Sequence, residues 1–139
     1  MVCQFPAAYA IDANQSYNLS TPSGGYFAGY ATATGDITFH SKTSVAISGQ
    51  VDDHCPADGA GAFLTAEVSY GNGTIGTYAV AQDTQGCGAG PVSFSKFLPN
   101  PDNRNVQSLS LRLCETDTSM PFGCQDMAVS RSHLNPYTN

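Results

Sequence analysis

Apolar and polar residues alternate along much of this chain, in short runs separated by glycine, proline and asparagine. The clearest run is Val106 to Cys114, where Leu109, Leu111 and Leu113 share one face and Ser110 and Arg112 the other. Ala62 to Tyr70 repeats the pattern, with Ala62, Leu64, Ala66, Val68 and Tyr70 opposite Phe63, Thr65, Glu67 and Ser69. Ser44 to Val51 puts Val45, Ile47, Gly49 and Val51 on one face. Ile75 to Ala81, Pro91 to Leu98 and Cys124 to Ser130 predict further strands. Tyr26 to Thr34 alternates imperfectly, and Gly35-Asp36 predicts a turn into Ile37-Thr38-Phe39. No stretch carries a sustained i, i+3, i+4, i+7 stripe, so helix is not expected.

The strongest turn is Gly71-Asn72-Gly73-Thr74, because asparagine and glycine accept positive φ and suit a tight hairpin. Pro99-Asn100-Pro101-Asp102-Asn103 reads as a loop. The expected fold is all-β, an antiparallel β-sandwich of about 7 to 9 strands. Residues 1 to 24 show weak periodicity and end in Thr21-Pro22-Ser23-Gly24-Gly25. They read as an extended N-terminal arm or an irregular first strand, followed by one sandwich domain over 25 to 139.

A chain of 139 residues is long enough to bury its own core. Its five cysteines therefore reinforce folding rather than replace a core. Cysteines at turns and strand ends point to an oxidising compartment and a secreted protein. Met1 reads as a start that stands in for a removed export leader. The bland alternative is a cytosolic protein with reduced thiols. Cys114 and Cys124 flank a short loop, and pairing them is worth about 3 kcal/mol by loop-closure entropy. Cys55 and Cys87 lie in glycine-rich turns, and pairing them is worth roughly 3.5 to 4 kcal/mol; the four cysteines allow three pairings, and turn placement alone favours this one. Cys3 is left over, either as a free thiol or as a bond to a partner chain.

Net charge is −6 with only five basic residues, and Lys42, Lys96, Arg104, Arg112 and Arg131 form no stripe. Nucleic-acid binding needs several neutralised phosphates, so this pattern argues against it. No apolar run approaches the roughly 20 residues of a membrane-spanning helix, so membrane insertion is not expected.

The stretch Ile47-Ser48-Gly49-Gln50-Val51-Asp52-Asp53, the loop Cys55-Pro56-Ala57-Asp58-Gly59-Ala60-Gly61 and the ending Leu111-Arg112-Leu113-Cys114, Cys124 and Asn135-Pro136-Tyr137 look like small exported proteins of actinobacteria. The resemblance covers roughly residues 44 to 139. It implies export and a disulfide-stabilised β-sandwich, and no catalytic residue. Adaptor subunits of secreted umbrella-like toxin particles are similar in being small, exported and β-rich, with an N-terminal extension that docks a partner. By that likeness residues 1 to 24 dock a partner.

Asp52, Asp53 and Asp58 concentrate carboxylates in one segment and are candidate Ca²⁺ ligands, although the spacing is not that of an EF-hand loop. A solvated turn at Asp58-Gly59 is the plainer reading. His40, His54 and His133 fall on different predicted elements and read as surface histidines. Ser132-His133 lacks the context of a nucleophile elbow. Glu67 and Asp53 would cleave glycosides only if held roughly 5 to 9 Å apart. Asn14-Gln15-Ser16, Asn18-Leu19-Ser20 and Asn72-Gly73-Thr74 match the glycan-acceptor pattern. The seven tyrosines offer interface or sugar-stacking surface, though buried core positions account for most of them.

The expectation is a secreted, non-catalytic protein-interaction module without a cofactor, Ca²⁺ aside. Its partner, another secreted protein, would engage Cys3, Phe5, Tyr9 and Tyr17 of the arm. The alternatives are a glycan-binding module, with Ca²⁺ at Asp52, Asp53 and Asp58, and a small secreted hydrolase.

Overall fold

The computed structural model describes residues 13–55, 60–86, 88–117 and 124–138. Among these residues nine strands follow one another: β1 (Asn14–Ser20), β2 (Tyr30–Phe39), β3 (Val45–His54), β4 (Ala60–Tyr70), β5 (Ile75–Asp83), β6 (Val92–Phe97), β7 (Val106–Asp117), β8 (Asp126–Val129) and β9 (His133–Leu134). A 3-10 turn, Pro136–Thr138, follows. All pairings are antiparallel, in two sheets. The first sheet runs β1-β2-β3-β6; the second runs β5-β4-β7-β8, with β9 also on β7. This is the expected sandwich.

The alternating faces meet as predicted. Leu64, Val68, Leu109, Leu111 and Leu113 from the second sheet are buried against Ile37, Phe39, Ile47 and Val51 from the first. Burying such side chains drives the two layers together, at about 25 cal/mol per Å² of apolar surface. The hairpin at Gly71-Asn72-Gly73-Thr74 joins β4 to β5, with Gly73 at φ 85°. Asn72 Oδ1 accepts the Thr74 N–H at 3.1 Å and closes the turn.

Three local expectations change. Gly35-Asp36 is not a turn, because β2 runs straight through it. Gly35 pairs with Gly49 of β3, and Tyr17 of β1 is the partner of Gly35 on its other side. A Cβ on Gly35 would lie 2.0 Å from the Ser48 carbonyl oxygen, and one on Gly49 2.0 Å from that of Thr34. Only glycine permits this close approach at φ 157° and 149°. Second, Tyr26 lies outside β2. Its N–H and that of Phe27 donate to Asp126 Oδ1 and Oδ2 at 2.9 and 3.0 Å, which holds the preceding loop against the second sheet. Third, Cys114 sits inside β7, which continues to Asp117.

Part of the expected arm is also structural. Residues 14 to 20 form β1, whose Gln15, Tyr17 and Leu19 are buried while Asn14, Ser16, Asn18 and Ser20 are exposed. The alternation is regular, but a glutamine at one inward position weakened it in sequence. Cys114 and Cys124 form a disulfide, ten residues apart, that ties β7 to the approach of β8. Cys55 is oxidised too; its expected partner Cys87 lies outside the described residues, as does Cys3.

Gly35→Ala is expected to lower the unfolding free energy by about 3 kcal/mol. Gly88→Ala, whose added Cβ meets open space, should change it by less than about 0.5 kcal/mol. Urea unfolding followed by circular dichroism measures both.

Candidate interaction edge

Each sheet of an open sandwich has two edges, and unpaired backbone there invites other strands. Three edges of this molecule carry recognised protection. Strand β5 has a register shift against β4 at Leu64/Thr65, and its Ala79 carbonyl accepts the Lys96 ammonium at 2.9 Å. Strand β6 supplies that lysine and follows Pro91. Strands β8 and β9 are only four and two residues long.

β1 differs. Its seven residues, Asn14–Ser20, carry no charge, no proline and no bulge. Bonds from the Thr21 N–H to the Ala31 carbonyl and from the Phe39 N–H to the Ala13 carbonyl set the phase of the ladder. By alternation, Gln15, Tyr17 and Leu19 bond to β2, and the backbone groups of Asn14, Ser16, Asn18 and Ser20 face outward. Among the described residues nothing pairs with that outer edge.

Tyr17 holds the strand in place. Its ring lies on the inner face, where Gly35 and Gly49 have no side chains, and its hydroxyl donates to the Ser48 carbonyl at 3.0 Å. Burial and the nearby Asp36 carboxylate push the phenol well above its ordinary value. Tyr17 is thus a buried core residue, and its ring is not the partner anchor expected from sequence. The other expected anchors, Cys3, Phe5 and Tyr9, lie outside the described residues.

Beside β1 runs a groove of about 310 Å³. Ser16 to Leu19 form one wall, and Val129 to Arg131 with His133 form the other. Next to Ser16, Gln15 donates Nε2–H to the Leu134 carbonyl at 2.8 Å. Gln15 Oε1 is then an acceptor, so His133 donates Nδ1–H to it at 3.0 Å. Arg131 also reaches Gln15 Oε1, at 3.4 Å. His133 is buried, contrary to the surface position expected for it, and among the described residues its Nε2 has no hydrogen-bond partner. Burial and the neighbouring Arg131 lower its pKa.

The remaining sequence candidates do not converge. Asp52 and Asp53 are consecutive strand residues and point to opposite faces of the first sheet. Asp53 is buried, and Asp58 lies outside the described residues. No three His, Cys, Asp or Glu side chains gather for a metal ion among the described residues. Buried Asp83 is used by backbone, accepting the Asp53 and Gln85 N–H groups at 3.0 and 3.2 Å. Glu67 faces outward from the second sheet, so it does not pair with Asp53 across a cleft.

One cluster that sequence did not reveal sits on the outer face of the first sheet. His54 stacks on Tyr30 at 4.4 Å between ring centres, bonds Thr32 Oγ1 at 2.7 Å and lies 3.5 Å from Asp52 Oδ2. Both polar contacts use Nε2, whereas a hydroxyl–imidazole–carboxylate relay needs opposite ring nitrogens. The β2–β3 register creates this cluster, and no local pattern announces it.

A second concavity, about 230 Å³, lies on the outer face of the second sheet. Thr65, Thr77 and Ser110 line it with Glu67 and Arg112, and Met127 and Val129 close one side. The exposed acceptor-pattern residues Asn14 and Asn18 lie on β1, and Asn72 at a hairpin tip. Compared with known proteins, the chain matches no family model, no curated protein and no solved structure.

Because the His133 pKa is lowered in the fold, the unfolded chain takes up the proton first. Its contribution is complete above the ordinary value of 6.5 and declines as pH falls through that value toward the folded one. Urea midpoints measured from pH 8 to pH 5 should fall less steeply in His133→Gln than in the native chain.

Proposed function

We propose that this protein is a secreted, non-catalytic module that binds another protein along the edge of β1. The carrying observation is that, among the described residues, nothing pairs with the uncharged outer backbone of Asn14, Ser16, Asn18 and Ser20. Backbone hydrogen bonds to an added strand supply affinity, and side chains entering the adjoining groove supply selectivity. The oxidised Cys114–Cys124 pair supports an extracellular setting. The adaptor likeness supports the same edge, since β1 lies within residues 1 to 24.

A second reading, glycan binding, is favoured by the concavity on the second sheet. Its Glu67 and Arg112 form no ion pair with each other, so both are open to sugar hydroxyls, with Thr65, Thr77 and Ser110 beside them. Glu67→Gln with Arg112→Ala should abolish any signal on a glycan array, and an array without signal for the native chain removes this reading.

Asn18→Pro tests the first reading. Proline removes an outward N–H and leaves the ladder to β2 intact, which edge strands tolerate. Capture of proteins from the native secretion medium should fall at least about tenfold, a change of about 1.4 kcal/mol, while circular dichroism stays unchanged. Equal capture by both chains refutes it.

A further inference from the structure

We propose that the outer edge of β1 pairs with a second copy of this chain, joining two four-stranded sheets into one of eight strands. This rests on the reading of β1 as a docking edge and names a partner for it.

The residues whose backbone faces outward are Asn14, Ser16, Asn18 and Ser20. Antiparallel pairing about a two-fold axis at Tyr17 sets Asn14 opposite Ser20 of the other copy, and Ser16 opposite Asn18. Every outward pair is then an amide facing a hydroxyl. An amide offers both donors and an acceptor, and a hydroxyl answers either. All four positions share the phase that exchanges two backbone hydrogen bonds per pair. A shift by one residue would set outward backbone against backbone already bonded to β2, so the phase is fixed.

Charge favours the same partner. The chain carries −6, a general source of repulsion between copies, yet the facing row has no charge at all. Like charges opposite one another destabilise strand pairs, and here none meet. Two exposed apolar side chains flank the edge: Val129 lines the groove, and Leu134 is the residue whose carbonyl Gln15 holds. A neighbouring strand laid on β1 shelters this side of the sandwich. The other edges cannot offer the same surface, being shifted in register, lysine-bearing or short.

One strand edge buries less than the roughly 1,200 Å² of a standard interface, which places the pairing among weak, reversible contacts. Sedimentation velocity on the full chain, from about 1 μM to about 1 mM, should show a reversible monomer–dimer equilibrium. Ser16→Lys with Asn18→Lys sets lysine against lysine in the proposed register and should leave only monomer. Ser16→Lys with Asn18→Glu sets lysine against glutamate and should restore the dimer, now weakened by salt. A native chain monomeric throughout, or a dimer that persists in the double-lysine variant, overturns the proposal. If the native chain is monomeric and Asn18→Pro still abolishes capture of another protein, self-pairing is wrong and the proposed function stands. If the dimer forms as described and capture is unaffected by Asn18→Pro, the reverse holds.

Discussion

The seating of Tyr17 over the Gly35–Gly49 pair is the contact on which the rest of the first sheet depends. Two strands approach so closely there that no side chain fits between them, and the missing volume is filled from a third strand. The hydroxyl of Tyr17 reaches the Ser48 carbonyl beyond its immediate neighbour strand. Strand β1 is therefore bound to β2 by backbone and to β3 by a side chain. Interiors are close-packed, and a tyrosine placed over two glycines restores density where two ordinary residues would collide.

This arrangement explains how an outermost strand with so few apolar residues remains ordered. Gln15 and Leu19 flank Tyr17 on the inner face, and Gln15 is stitched to the other sheet through Leu134, His133 and Arg131. The polar bridge joins β1 to the second sheet beside the groove that Ser16 to Leu19 line. Rigidity on one side and unpaired backbone on the other are the two properties a strand-addition surface requires, since a preordered acceptor loses little conformational freedom on binding.

The buried polar groups fit the same logic. Asp126 organises the loop before β2, and Asp83 accepts one backbone N–H near the end of β3 and one just after β5. Carboxylates in such positions satisfy backbone that strand pairing does not reach. Asp52 and Asp53, which sequence had suggested for ion binding, are consecutive strand residues that the sheet itself separates.

Alternation of apolar side chains was enough to determine the class of fold and the inward faces of β4 and β7, turn residues marked the hairpin at Asn72-Gly73, and turn placement favoured the link between Cys114 and Cys124 among the three possible pairings. These are local properties, set by a period of two along the strand and by turn residues that tolerate positive φ. The continuity of β2 through Gly35, the burial of His133 and the cluster of Thr32, Asp52 and His54 were decided by register between strands. So was the candidate edge. Its Asn-x-Ser-x-Asn-x-Ser order is visible in the chain, yet which strand lies outermost depends on how all the strands are ordered. That order follows from packing between distant segments, which no neighbouring residues encode.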